Sequence, residues 1–521
     1  MASRVTLEAI DAFRDDVASV IHDYARRLRG LRYADVRVEV SEGKAAAVEN
    51  GSEKYSAEDY GFVYGVRAVS GKDIGASGFY SGMLGAADLP NIAAILKSAV
   101  KHAHDRAMAN AAAKWAARER FTKLGGALTD VRLAPIDVET ATIDARYESD
   151  PRRVSLDEVV RTARETSKAL VGLQGVIAFN YVAASTGIER QLFVSTEGAN
   201  IDESRALTEA FVYVVAQHEG VAVEVYDNIG HQRGWEVVST GYDDGYLRNP
   251  PLETFAHEFA SDVANLSRAK PLKATDKEVV VVTDPHFNAL VSHEVVGHPT
   301  ELDRALKMET AYAGRSWLLT DAETTQIGNR FGSDLVNATA DPSLPGYGHY
   351  AFDDEGTPGK RVRLVENGIF RGFMNSRETA AIIGAEPNGS YRASDASMVP
   401  LIRMSNVYFE PGTRDPAGII REVEHGYYVS GHRIPSIAES RENFRITAIK
   451  VQEIRNGELG ELFRDGGITS DTRDYFLSID AVGSDLQLFP IPNCGKGQPM
   501  QAKRLGNGGP TMRGRAKLTG A

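Results

Sequence analysis

Residues 291–303, VSHEVVGHPTELD, hold two histidines with a glutamate directly after the first. Neutral imidazole is a good zinc ligand, and a catalytic zinc keeps three protein ligands and one open position for water. Glu294, beside His293, is of the type that takes a proton from such a water and passes it to a leaving amine. The usual pattern for this chemistry is His-Glu-x-x-His, with the histidines four apart on one helical face. Here His293 and His298 are five apart. At about 100° per residue, five steps separate two side chains by roughly 140° in projection, against roughly 40° for four. Two local devices would bring them together. One is a single π-type turn, which aligns residues five apart. The other is an end to the helix at His298, which Gly297 and Pro299 flank. The spacing alone leaves two readings open: a metal pair, or two histidines at the end of a buried helix.

A third ligand is then needed. The lone cysteine, Cys494, lies in FPIPNCGKGQP, whose Gly and Pro content predicts a loop. Lys496 nearby would favour the thiolate. Two His and one Cys form a soft ligand set suited to zinc. Glu301, Asp303, His349 and the FDDEG run at 352–356 (Asp353, Asp354, Glu355) are the other candidates. That run reads equally as a solvated acidic turn or as support behind a ligand histidine. His257-Glu258 has no histidine four or five residues on and carries no chemistry. His102 and His104 are expected on the surface of an Ala-rich helix.

The elements that must position these residues follow from periodicity. Helices are expected over 5–29, 89–121, 155–172 (N-capped by Ser155) and 252–269. KEVVVVTD reads as a buried strand, and Asp284-Pro285 as the cap and first residue of the helix that carries His293. Asn50-Gly51, Asn367-Gly368 and Asn456-Gly457 are hairpin turns. The fold class is α+β. An N-terminal α+β domain is expected over 1–240, with submodules of about 1–122 and 123–240, and a β-rich domain over 241–521 bearing the metal-site helix.

With 521 residues, 42% hydrophobic and 25% charged, the chain has the composition of an ordinary globular protein. A net charge of -12 argues against nucleic acid or an anionic membrane as partner. One cysteine excludes an intramolecular disulfide and fits a reducing compartment. With no signal-peptide pattern and no bilayer-length apolar run, the expected location is the cytoplasm.

Several ordered motifs resemble the TldD side of the TldD/PmbA (TldD/TldE) family of metallopeptidases. HEVVGH (293–298) is similar to its His-Glu-x-x-x-His, and YAFDDEGTPGKRVRLVENGIFRGFMN to its FDDEG segment and following hairpin. SIDAVGSDL, NCGKGQP and GNGGPTMR resemble its late motifs. The resemblance implies one zinc per chain, held by His293, His298 and Cys494, with Glu294 as general base. It implies hydrolysis of unfolded or extended peptides. It further implies a dimer, either of two copies or with a TldE/PmbA-like subunit. Two other readings stand beside it: a non-catalytic binding or regulatory subunit with a structural zinc, and a metal amidase acting on a small molecule. His349 and tyrosines near the site are the candidates for stabilising the oxyanion. One departure falls at SGHRIPSIAESRENFRI (430–446), where many members carry a Gly-rich stretch. His432 and Arg433 lie there and read either as substrate-facing residues or as part of an ordinary loop, the loop being the expectation.

Overall fold

The computed structural model describes residues 4–119, 130–312, 314–319 and 325–520. The architecture is α+β. The first sheet contains β1 (Leu31–Glu49), β2 (Ser52–Ser70), β3 (Ala76–Met83), β4 (Thr140–Ile143), β5 (Ile177–Ser195), β6 (Asn200–His218) and β7 (Val221–His231). Its order is β3-β2-β1-β5-β6-β4, with β7 also paired to β6. The β1–β2 hairpin turns at Asn50-Gly51, both at positive φ (47° and 79°), the conformation whose twist matches the flanking strands. β1 pairs with β5 from Asp35 to Glu49, so residues from both expected submodules share one sheet.

Helices α1 (Ala9–Ser19) and α2 (Ile92–Ala116) bury their apolar faces on β1, β2 and β5. Helices α3 (Leu156–Leu170) and α4 (Leu252–Arg268) do so on β5, β6 and β7. Ser155 caps α3 as expected, its Oγ accepting from Glu158 N at 3.1 Å. The end of the helix predicted over 89–121, and the 122/123 division, lie outside the described residues. His104 departs from expectation. Ala99, Ala103 and Ala107 let α2 approach the sheet closely, and His104 is buried with Nδ1 2.8 Å from Ser70 Oγ.

A second sheet is centred on β8 (Val279–Thr283), the strand read from KEVVVVTD. It lies parallel to β9 (His425–Ile437), which pairs with β10 (Asn443–Arg455). A third sheet ends in β11 (Gln487–Lys496) on β12 (Gln501–Gly509), and the final strand β13 (Met512–Thr519) returns to β8. The helix after β8, α5 (Pro285–Val291), packs between β9 and β12, where Phe287, Leu290 and Val291 join the largest apolar core. Among the described residues no helix is long and apolar enough to cross a membrane.

The FDDEG run joins the first sheet to the rest of the chain. Arg67 Nη1 meets Glu355 Oε1 at 2.6 Å, and Gln191 Nε2 donates to Asp354 Oδ1 at 2.9 Å. Asp353 accepts from the backbone N–H groups of Glu355, Thr357 and Tyr391. Both roles read from the sequence are thereby corrected: the carboxylates are buried, and their partners come from the first sheet and the local backbone rather than from a ligand histidine.

Candidate metal centre

Asp284 opens α5, its Oδ1 accepting from Phe287 N at 2.6 Å, with Pro285 at the first helical position. After Val291 the helix widens into a π turn, Ser292–Gly297, and closes with a 3₁₀ turn, His298–Thr300. The π turn is the device that aligns the histidines: their ring centroids are 4.8 Å apart with planes at 82°. His298 keeps helical dihedrals (φ -59°, ψ -42°) in spite of Pro299. A π turn shifts the preceding carbonyls, which a proline ring would meet in a regular helix. Gly297 is also helical, and its role is close packing. A Cβ there would lie 2.1 Å from Met404 Sδ.

Cys494 lies in β11, not in the predicted loop. The register against β12 shifts between Ile491 and Cys494, so the strand absorbs Pro492 and Asn493 as a bulge. Bulges re-aim side chains, and Cys494 Sγ comes within 3.5 Å of His298 Nε2. One ligand atom from each of His293, His298 and Cys494 lies within 4.8 Å of the others, and all three residues are buried.

What stands behind the histidines fixes their orientation. His293 Nδ1 is 3.1 Å from Asn507 Oδ1, and His298 Nδ1 is 3.0 Å from Glu301 Oε2. With both Nδ1 atoms donating backwards, the Nε2 atoms are left for the ligand side, the arrangement expected of imidazole metal ligands. Glu301 is held in turn by Arg304 Nε (2.8 Å) and Lys496 Nζ (3.1 Å). Lys496 does not serve the thiolate, as its position in the sequence suggested. It is fully buried, and its ammonium also donates to Asp303 Oδ1 and Ile402 O, both at 2.7 Å.

Burial pushes the Cys494 thiol up, but the charges of His293, His298 and Arg403 outweigh it and hold the thiol well below its usual range. Burial pulls His293 down, and the facing Cys494 thiolate raises it to about 9. The two shifts express one ion pair, a thiolate facing a protonated imidazole, and a metal ligand set needs that proton released. Two imidazoles and a thiolate match zinc in softness and in number, leaving a fourth position.

Glu294 borders a cleft of about 370 Å³ that reaches all three donors. Burial raises its carboxyl, but His298, His293, Arg441 and Arg304 together hold it below its ordinary value. Arg441 was not singled out in the sequence. Its Nη2 lies 3.6 Å from Glu294 Oε2, and its Nε donates to Glu294 O at 3.1 Å. The segment 430–446 is no ordinary loop: it is the end of β9, the turn, and the start of β10, and His432 and Arg433 line the cleft. Tyr226 and Tyr312 line it as well. His349 is turned away, its Nδ1 2.7 Å from Pro342 O.

The sequence pattern of the PmbA/TldA metallopeptidase central domain matches residues 149–269, and that of the C-terminal domain matches 276–516. The chain belongs to the PmbA/TldD metallopeptidase family. A metalloprotease of Methanothermobacter thermautotrophicus is 27% identical over 390 residues, covering 74% of this chain and 78% of that one. A zinc metalloprotease TldD homolog of Saccharolobus solfataricus is 26% identical over 323 residues, 62% of this chain and 66% of its own. TldE from Thermococcus kodakarensis has the same fold. Its crystal structure superposes with a TM-score of 0.65 at 18% identity, over 98% of this chain and 100% of that one. The π turn, both histidines and Cys494 lie inside the C-terminal family domain.

Proposed function

We propose that this metallopeptidase-family chain is a zinc-dependent peptidase of the catalytic TldD type, holding one zinc through His293, His298 and Cys494 and using Glu294 as general base. The observation that carries the reading is the convergence of three donor atoms within 4.8 Å, with both Nδ1 atoms tied back. The naming of the Saccharolobus relative as a zinc metalloprotease supports the choice of metal. A zinc bound there would supply the Lewis acidity that brings the pKa of a water to about 7.

Glu294, ionised at neutral pH, accepts the proton of the attacking water and delivers it to the leaving amine. Arg441 steadies that carboxylate at Oε2, 3.6 Å from its Nη2. A structural site would close its fourth position with a protein ligand; here the three donors face a cleft bordered by Glu294, which favours catalysis.

An extended, unfolded peptide suits this cleft. β11 is the end strand of its sheet; Leu247 already bridges its Leu488, and residues 491–495 line the site. Added beside that edge, a peptide would be gripped by backbone hydrogen bonds. A dimer, of two copies or with a TldE/PmbA-like subunit, is part of this proposal, supported by the fold shared with TldE. So are a division of the chain near residue 240 and a cytoplasmic location, the latter supported by the single free cysteine.

The test is metal content of wild type, Cys494→Ala and Glu294→Ala, with casein and peptide-library cleavage run alongside. About one zinc in wild type, loss in Cys494→Ala, and a zinc-loaded but inactive Glu294→Ala are expected. Full zinc in Cys494→Ala would remove the third ligand from the scheme. No zinc uptake by wild type would end the peptidase reading. A Glu294→Ala chain that still cleaves would show that the base lies elsewhere.

A further inference from the structure

The metal cleft is lined by three arginines, Arg304, Arg433 and Arg441, although the chain as a whole carries a net charge of -12. Among the described residues Glu294 is the one carboxylate that lines it. Two of the arginines have acidic partners within the site. Arg304 donates to Glu301 (2.8 Å) and to Ala311 O (3.0 Å), and Arg441 approaches Glu294.

Arg433 differs. Its Nη2 donates to the backbone carbonyl of Glu224 at 2.5 Å. Its nearest carboxylate among the described residues is Asp465, at 4.0 Å, and Asp465 is already paired with Arg464. The guanidinium is thus anchored on one side by a neutral group, with charge and donors left over.

Its placement is built by the strand. Gly431 sits at φ +62°, and the β9–β10 register shifts between His432 and Pro435, leaving Arg433 and Ile434 in a bulge. Thr447 seals that bulge: its Oγ1 accepts from Ile434 N at 2.9 Å and donates to Ile434 O at 3.1 Å. The Arg433 side chain is only 19% exposed, so it is held against the protein rather than free in solvent. A fixed guanidinium with unused N–H groups matches a carboxylate, which it can grip with two parallel bonds.

We propose that Arg433 reads a carboxylate on the substrate, so that the preferred peptide carries an acidic side chain, or its own C-terminal carboxylate, within reach of the cleaved bond. This rests on the peptidase reading above. Both sources present the same group, and the experiment separates them.

Four peptides of equal length are compared: one with an internal Glu and an amidated C-terminus, one neutral with a free C-terminus, one neutral and amidated, and one with Lys in place of the Glu. Wild type, Arg433→Ala and Arg433→Lys are assayed for KM and kcat. Binding of the same peptides, fluorescently labelled, is measured on zinc-loaded Glu294→Gln with and without Arg433→Ala. A charge-assisted pair predicts at least about a tenfold advantage in KM for one carboxylate peptide over the neutral amidated one. Arg433→Ala abolishes that advantage with zinc content unchanged, and Arg433→Lys restores part of it. Whichever carboxylate peptide shows the advantage identifies the source. Equal handling of all four peptides, or a preference that survives Arg433→Ala, overturns the proposal. If wild type holds zinc and cleaves nothing, the peptidase reading fails. The binding arm then decides this inference by itself: binding of a carboxylate peptide that depends on Arg433 supports it, and binding that does not overturns it.

Discussion

Lys496 and Glu301 form a buried ion pair, Nζ to Oε2 at 3.1 Å, directly beneath the metal cluster. Lys496 follows Cys494 by two positions on β11, and Glu301 follows His298 by three, just past the 3₁₀ turn that closes the helix. The pair therefore ties the strand that supplies the sulfur to the helix that supplies the nitrogens. Glu301 then passes the restraint to the His298 ring through Nδ1.

Breaking this tie should cost both stability and metal. Lys496→Met would leave Glu301 and Asp303 facing one another in the core with Arg304 as their remaining cation. Removing one partner of a buried pair costs about 3–5 kcal/mol. Denaturant unfolding of the metal-free chain is expected to show a loss of that order, and chelator competition a weaker zinc affinity. An unchanged midpoint would mean that Lys496 is a passenger.

The groups behind the histidines should matter without touching the metal. Asn507→Leu and Glu301→Gln remove or weaken the acceptors for the two Nδ1 protons. Losses of this kind typically cost about 10–100-fold in metal affinity. Competition with a chromophoric chelator measures this directly. Affinity within twofold of wild type for both variants would show that the rings are oriented by packing alone.

Gly297 offers a purely steric test. In Gly297→Ala the new methyl would fall on Met404 Sδ. Overpacking costs about 1–3 kcal/mol, and here the displaced helix also carries His298. The melting temperature and zinc occupancy of Gly297→Ala are expected to fall together. Gly297→Ala with Met404→Ala should recover part of both, because the second change makes room. Equal loss in single and double variants would place the need for glycine in the backbone instead.

How far the site could be read from sequence depended on whether the partners were local. The histidine pair was legible as chemistry, and one of the two devices named for it, the π turn, is the one found. Cys494 was legible by type. Its strand was not, because Pro490, Pro492 and the neighbouring glycines read as a loop. An edge strand tolerates proline, and a bulge absorbs the extra residue. FDDEG was read as a solvated turn or as support behind a ligand histidine because Arg67 and Gln191, which bury it, arrive from β2 and β5 far away in sequence. Arg441 gave no signal at all: it sits at φ +65° in the turn between two strands, outside any periodic pattern. Local chemistry and hairpin turns were visible, and charge pairs across the fold were not.

The seam between the first sheet and the rest of the chain should respond to pH through Glu39. This residue of β1 is buried and accepts from Ala396 N at 3.1 Å. Burial, and then the carboxylates of Glu189 and Asp395, push its carboxyl from 4.5 up to about 8, with Lys503 opposing. Between those two values the folded chain holds a proton that the unfolded chain has released. Stability from this group is therefore complete below about 4.5 and is lost as the pH rises towards about 8. Glu39→Gln keeps the acceptor for Ala396 N and removes the titration. Its melting temperature should fall less steeply than that of wild type between pH 5 and pH 8, roughly the window of that shift, and should exceed it at the alkaline end. Parallel curves for the two proteins would mean that Glu39 is ionised in the folded chain, with Lys503 as its counter-charge.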